Sequence, residues 1–271
     1  MKWEGNLRKM RTWLDGDAQY ALPLYDILQK ADEIPMNDLI GSTIKINFQD
    51  AIHCIVTGKK IKKAFGEGLS FDAFQKSPLA AESIFRPELS RIHEGIALRD
   101  FDWEQEHHNK PHYVYLSLTA GIKVGVTRTV NIPSRWIDQG ASQAIAFAET
   151  PYRQLAGLVE VELAKHISDK TNWRNMLKNV KTNERSLADE LLNIIPFLSE
   201  DLRKYLISDP QQLDIPFPVL AYPEKVNSIK LDAQKEVHGK LMGIKAQYLI
   251  LDEGRVLNIR SHAGYRVSIE A

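Results

Sequence analysis

The stretch His112-Tyr-Val-Tyr-Leu-Ser-Leu118, the short link Thr119-Ala120-Gly121 and the stretch Ile122-Lys-Val-Gly-Val-Thr127 alternate strictly in side-chain character. Side chains along a strand point to opposite faces with period two, so this pattern predicts two strands joined as a hairpin. Val114, Leu116, Leu118, Ile122, Val124 and Val126 then share the core face, and Tyr113, Tyr115, Ser117, Lys123, Gly125 and Thr127 share the other. Two tyrosines and a lysine on one face are unusual for a surface that meets only water.

Downstream of the hairpin, Pro133-Ser-Arg-Trp-Ile137 places a proline near the start of a helix that Gly140 ends, and Ala144-Ile-Ala-Phe-Ala148 reads as a third strand. A helix is expected over 151–167, with Leu155, Leu158, Val159, Leu163 and Ile167 at helical spacing and Glu160 on the flank of Val159. Further on, Leu187–Ile195 predicts a helix broken at Pro196, followed by a second short one ending near Leu206. Pro210, Pro216, Pro218 and Pro223 mark a linker. Strands are expected at 239–244, 247–251, 256–260 and 265–269. Upstream, Gly41–Phe48 and Ala51–Val56 read as two strands, and 66–108 shows turn punctuation with little periodicity.

The composition is that of a soluble globular chain: 271 residues, 44% hydrophobic and 26% charged, with 35 basic and 35 acidic side chains. A single cysteine, Cys54, excludes an intramolecular disulfide and a four-cysteine zinc site, and the apolar runs fall far short of the roughly 20 residues of a membrane span. No apolar stretch follows the charged N-terminus, so no signal peptide is read and the expected location is cytoplasmic, away from membranes. The neutral total hides local excess. Residues 110–178 carry nine basic and five acidic side chains, and Lys59, Lys60, Lys62 and Lys63 crowd one short stretch. Neither a phosphate loop nor a serine nucleophile elbow is present: Gly66-Glu-Gly68 lacks the following lysine, and Ser90 and Ser117 lack flanking glycines.

The segment from His112 to Asn175 resembles the core of the GIY-YIG nuclease superfamily. The likeness rests on Val114-Tyr-Leu, Lys123-Val-Gly125, Arg135-Trp136 and Ala156-Gly-Leu-Val-Glu-Val-Glu-Leu-Ala-Lys165, in the family's order. The matching positions are Tyr115 or Tyr113, Gly125, Arg135, Glu160 and Asn172. Lys123 stands where the family usually has the second motif's tyrosine, and neither tripeptide has the family's spelling. The resemblance implies an α+β fold with a small central antiparallel sheet and helices. A loop-rich N-terminal region and a C-terminal β-rich segment would flank it. It also implies a nuclease that uses a divalent metal, magnesium, held by Glu160. Arg135 would fork onto the phosphate and one tyrosine would position or activate water. Lys123, Arg128, Asn172 and Arg174 are the expected nucleic-acid contacts, DNA or RNA. In Asp169-Lys-Thr-Asn-Trp-Arg174 the alternatives are a clamp made by Trp173 and Arg174 and a helix capped at Asn172.

The whole chain also resembles a bacterial family known only as a domain of unknown function, which shares the 112–128 and Trp136–Ala141 sequences. That likeness implies zinc-knuckle cysteines before the hairpin. Here Thr57, Ser70 and Ala73 stand roughly where further cysteines would be, so no structural zinc is expected. A site built from His93, His107 or His112 with Asp or Glu is the remaining metal alternative.

The expected organisation is a β and loop region with a degenerate knuckle pattern over 1–108 and the GIY-YIG-like domain over 109–180. A helical segment and proline-rich linker follow over 181–223, then a β segment over 224–271 that pairs with the N-terminal strands. The functional expectation is a metal-dependent endonuclease. The alternative is a non-catalytic nucleic-acid-binding or partner-binding module with a decayed site. Oligomeric state is left open.

Overall fold

The computed structural model describes residues 1–167, 172–180 and 186–271. Two compact units emerge: residues 1–75 with 216–271 form unit 1, and residues 76–215 form unit 2. Residues 76–108, which the sequence groups with the N-terminal region, therefore belong to unit 2.

The chain opens with β1 (Lys2–Leu7), β2 (Arg11–Asp15), β3 (Asp17–Asp26), β4 (Gln29–Pro35), β5 (Thr43–His53) and β6 (Lys60–Ile61), followed by α1 (Phe71–Lys76). Unit 2 contributes α2 (Glu82–Phe85), α3 (Phe101–His107), β7 (His112–Leu118), β8 (Ile122–Arg128), α4 (Ser134–Asp138), β9 (Gln143–Thr150) and α5 (Arg153–Ala164). It continues through α6 (Trp173–Leu177), α7 (Leu187–Ile194), α8 (Glu200–Arg203) and β10 (Gln212–Asp214). The chain returns to unit 1 as β11 (Asn227–Ile229), β12 (Glu236–Lys245), β13 (Tyr248–Leu251), β14 (Arg255–Asn258) and β15 (Tyr265–Glu270).

Among the described residues unit 1 holds an 11-stranded, mostly antiparallel sheet in the order β11-β14-β13-β12-β5-β15-β1-β3-β2, with β4 beside β3 and β6 beside β5. Among the described residues only the β11–β14 pair is parallel. Strands from the two ends of the chain interleave, because β5 lies between β12 and β15, and β15 pairs in turn with β1. Alternation drives the burial: β12 hides Val237, Gly239 and Leu241 and exposes Glu236, His238 and Lys240.

The two strands read at 41–48 and 51–56 are one strand, β5. Asp50 takes a left-handed conformation (φ 53°), and the pairing with β15 steps from Tyr265↔Ile52 to Val267↔Phe48. Gln49-Asp50 is thus an irregularity within a continuous strand, which its polar composition imitates as a turn.

Unit 2 is built on the sheet β10-β9-β7-β8. Its hairpin pairs from His112↔Arg128 to Leu118↔Ile122. The face bearing Val114, Leu116, Leu118, Ile122 and Val126 packs with Ala156, Val159 and Leu163 of α5 and Leu187, Leu191 and Ile194 of α7. Burial of this apolar face stabilises the unit by about 25–30 cal/mol per Å2 removed from water. The α5 helix ends at Ala164 rather than at Ile167, and α7 starts where the Ser186 side chain accepts a hydrogen bond from the Asp189 amide. The segment 210–223 read as a linker contains β10, which pairs with β9. No helix among the described residues is long and apolar enough to cross a membrane.

Candidate functional site

The second face of the unit 2 sheet is buried too. Tyr115 and Ser117 are inaccessible, and Trp136 and Ile137 of α4 are buried. Register places Tyr115 opposite Gly125. The phenol crosses directly over the glycine: a β-carbon there would stand 2.7 Å from Tyr115 Oη and 2.8 Å from Cζ, so only glycine leaves room. Tyr115 Oη donates to Gln139 Oε1 at 2.8 Å, and its ring meets Trp136 edge-on, with centroids 5.8 Å apart. Tyr113 is only half-buried and sits opposite Thr127.

The Arg135 guanidinium reaches this phenol from α4, and Glu160 of α5 acts on it through its charge alone. Burial raises the Tyr115 pKa most, the Arg135 guanidinium draws it back down, and the Glu160 carboxylate pushes it up. The net direction is upward, so at neutral pH the phenol is protonated and acts as a hydrogen-bond donor. Arg135 is delivered by α4, which Gly140 (φ 73°) terminates. Two buried polar atoms of this face, Trp136 Nε1 and Ser117 Oγ, have no hydrogen-bond partner among the described residues. Beside Glu160 lies a cleft of about 260 Å3 whose walls include Phe85, Pro87, Val124, Val161 and Ala164, with Phe85 76% exposed.

The remaining expected residues fall into two groups. Lys123 lies on the Tyr115 face opposite Ser117, and Arg128 pairs with His112 at the far end of the hairpin. Asn172 caps α6, its side chain accepting from the Arg174 amide at 2.9 Å, while the Arg174 guanidinium lies over the Trp173 ring at 4.4 Å. The helix capped at Asn172 is therefore present. Asp169, Lys170 and Thr171 lie outside the described residues.

Sequence reasoning missed Arg153, at the first position of α5. Its Nε and NH2 donate to the carbonyls of Ser83 (2.9 Å) and Ile84 (3.0 Å), and its amide donates to the His108 carbonyl at 2.9 Å. Burial lowers its pKa to about 10, with Glu160 opposing and Arg135 and Arg128 reinforcing the drop. Its signal in sequence was one more arginine in a basic segment, which does not separate a buried cation from a solvated one.

Two buried histidines lie in the same neighbourhood. His112 Nδ1 donates to the Lys110 carbonyl at 2.7 Å, which leaves a buried Nε2 acceptor without a partner. Burial lowers the His112 pKa to about 4 and the His108 pKa to about 3, with Arg153 and Arg128 adding to both shifts.

The loop-rich segment 76–108 is ordered by polar side chains. The inaccessible Glu104 carboxylate accepts from the amides of Leu98 (3.0 Å) and Arg99 (2.8 Å), and Asp100 caps α3 through the Trp103 amide at 2.9 Å. No group of three or more His, Cys, Asp or Glu side chains placed to hold a metal occurs among the described residues. Cys54, just past β5, is buried. Burial alone would raise its pKa, but hydrogen bonds from the Thr57 side chain and the amides of Ser70, Thr57 and Val56 bring it down to about 7. Thr57 and Ser70, two of the positions noted for absent cysteines, thus meet the one cysteine present.

No curated protein and no solved structure matches the chain. One family model matches residues 41–267, which covers all of β5, all of unit 2 and the C-terminal strands up to Val267 of β15. On that match the chain belongs to the family described as protein of unknown function (DUF2797).

Proposed function

We propose that unit 2 is a GIY-YIG-like domain that hydrolyses nucleic-acid phosphodiesters with one divalent metal, in the cytoplasm, where a lone reduced cysteine fits. The observation that carries this reading is the contact of Tyr115 with Arg135 beneath a glycine that makes room for the phenol, with the Glu160 charge acting on the same group.

A single carboxylate, Glu160, suits magnesium, which keeps most of its waters and takes substrate phosphate oxygens as further ligands. It does not suit zinc, which needs three or four protein donors. The bound ion would neutralise charge on the phosphate and lower the pKa of its water. Arg135 forks onto the non-bridging oxygens, a geometry that a lysine does not reproduce. Tyr115, inaccessible and donating its proton to Gln139, holds Arg135 toward the phosphate and acts on the water only through that arginine. Lys123 and Arg128 line the approach with positive charge.

The test is magnesium-dependent cleavage of branched, nicked and single-stranded DNA and of structured RNA, with Glu160→Ala and Arg135→Ala alongside. Loss of cleavage in both variants is the expected result, and cleavage surviving in both refutes the assignment. The second reading, a binding module, is favoured by Lys123 in place of a tyrosine. It predicts salt-sensitive binding with no cleavage by the wild-type chain.

A further inference from the structure

In unit 1 a cleft of about 260 Å3 opens between the β1–β2 turn, β3, the start of β4 and the residues around Arg260. Five cations line it: Arg8, Lys9, Arg11, Lys30 and Arg260. One carboxylate does, Glu67, and it is ion-paired with Arg260. Glu33, outside the wall, serves both Arg11 (2.8 Å) and Lys30. Positive charge stays in excess even when Glu33 is counted.

Arg8 is held on several sides. Its guanidinium donates to the carbonyls of Leu7 (3.0 Å) and Ile27 (2.6 Å) and lies over the Tyr25 ring, 4.6 Å from the centroid. These partners are neutral, and burial pushes its pKa down. A half-buried cation held in place by neutral groups gains most from an anion, because its solvation has been reduced and its fork is already oriented. Burial and then the charges of Arg266, Lys60 and Arg8 depress the His53 pKa, with Asp26 opposing. Pro23, Ile55 and Ala263 supply apolar wall between the cations.

We propose that this cleft binds a nucleotide phosphate, with Arg8 and Arg11 on its oxygens and the sugar against Pro23 and Ile55. The volume lies just below the roughly 300–1,000 Å3 of drug-sized ligand sites, which suits one nucleotide unit at a time. The phosphate belongs either to a single strand or to a free nucleotide, and the further charge of Lys60 favours a strand. This site is separate from the chemistry of unit 2.

The test uses the full chain in EDTA, with two probes: a fluorescein-labelled oligothymidine strand followed by anisotropy, and adenosine monophosphate followed by calorimetry. Arg8→Gln, Arg11→Gln and their double variant are compared with Lys235→Gln, an exposed cation of the same unit outside the cleft. The expected result is binding of at least one probe that weakens about tenfold or more in the double variant and is unchanged in Lys235→Gln. For the strand, the salt slope should fall by about 0.7 per cation removed. Arg11→Gln, on an exposed side chain, keeps the test valid if Arg8→Gln fails to fold. The proposal is overturned if neither probe binds, or if the double variant binds both as tightly as the wild type. Because no unit 2 residue is altered, failure here leaves the cleavage proposal standing, and the reverse also holds.

Discussion

Gly157 of α5 lies against the backbone of Glu88 so closely that a β-carbon on it would stand 2.2 Å from the Glu88 nitrogen and 2.6 Å from the Pro87 carbonyl carbon. This contact, with the Arg153 hydrogen bonds to Ser83 and Ile84, fastens the loop-rich segment onto the helix that carries Glu160. Gly157→Ala should therefore destabilise unit 2 by at least about 1–3 kcal/mol, since backbone cannot yield as a side chain does, and the helix-propensity gain of roughly 1 kcal/mol does not offset it. Urea unfolding followed by circular dichroism measures this. A variant as stable as the wild type would show that the close approach is not maintained in solution.

Gly125→Ala should displace the Tyr115 phenol at a cost of about 1–3 kcal/mol. Tyr115→Phe removes the oxygen that the new methyl meets, so its own cost should shrink in the Gly125→Ala background. A double-mutant cycle reads this as a coupling above about 0.5 kcal/mol, and strict additivity would argue against the contact.

Glu104→Ala leaves the Leu98 and Arg99 amides without their acceptor. At about 1–3 kcal/mol for an unsatisfied buried donor, thermal unfolding should shift down by several degrees. Protease cleavage within 95–104 should appear before global unfolding, and a segment that stays resistant would contradict this role for Glu104.

His108 and His112 are held neutral, with pKa values of about 3 and about 4 against an ordinary 6.5. The unfolded chain takes up protons below pH 6.5 where the folded one does not, so their contribution is complete above that pH and is lost as pH falls toward 4. Between pH 6.5 and 5.5 the pair should cost on the order of 2 kcal/mol, and His112→Phe should flatten part of that slope. Equal slopes for variant and wild type in pH-dependent urea titrations would remove His112 from the account.

Cys54→Ala removes the sulfur that accepts from the Val56, Thr57 and Ser70 amides, and should destabilise unit 1 by about 1–3 kcal/mol. Cys54→Ser, which retains an acceptor, should recover part of the loss. Identical melting temperatures for the two variants would reduce the thiol to a space-filling role.

Local periodicity was sufficient for the hairpin, for α7 and for the four C-terminal strands, because two- and 3.6-residue patterns follow from which side of an element meets the core. β1 to β4 escaped that reading: the burial of β2 alternates only between exposed and half-buried, and β4 is largely exposed. Within the candidate site, Gly125, Arg135 and Glu160 stood out through order along the chain. The choice of tyrosine did not, since Tyr113 and Tyr115 share a face and differ only in what lies across from them.

By itself the sequence determined the hairpin, the third strand and the α5 and α7 helices of unit 2 and the side on which each presents its apolar residues, since these depend on neighbours a few positions apart. Only the tertiary structure decided that β5 inserts between β12 and β15, that Arg153 is buried, and that Arg8, Arg11, Lys30 and Arg260 line one cleft. Those relationships join residues up to more than 200 positions apart. Their stability comes from burial and hydrogen bonding across that distance, which no local pattern records.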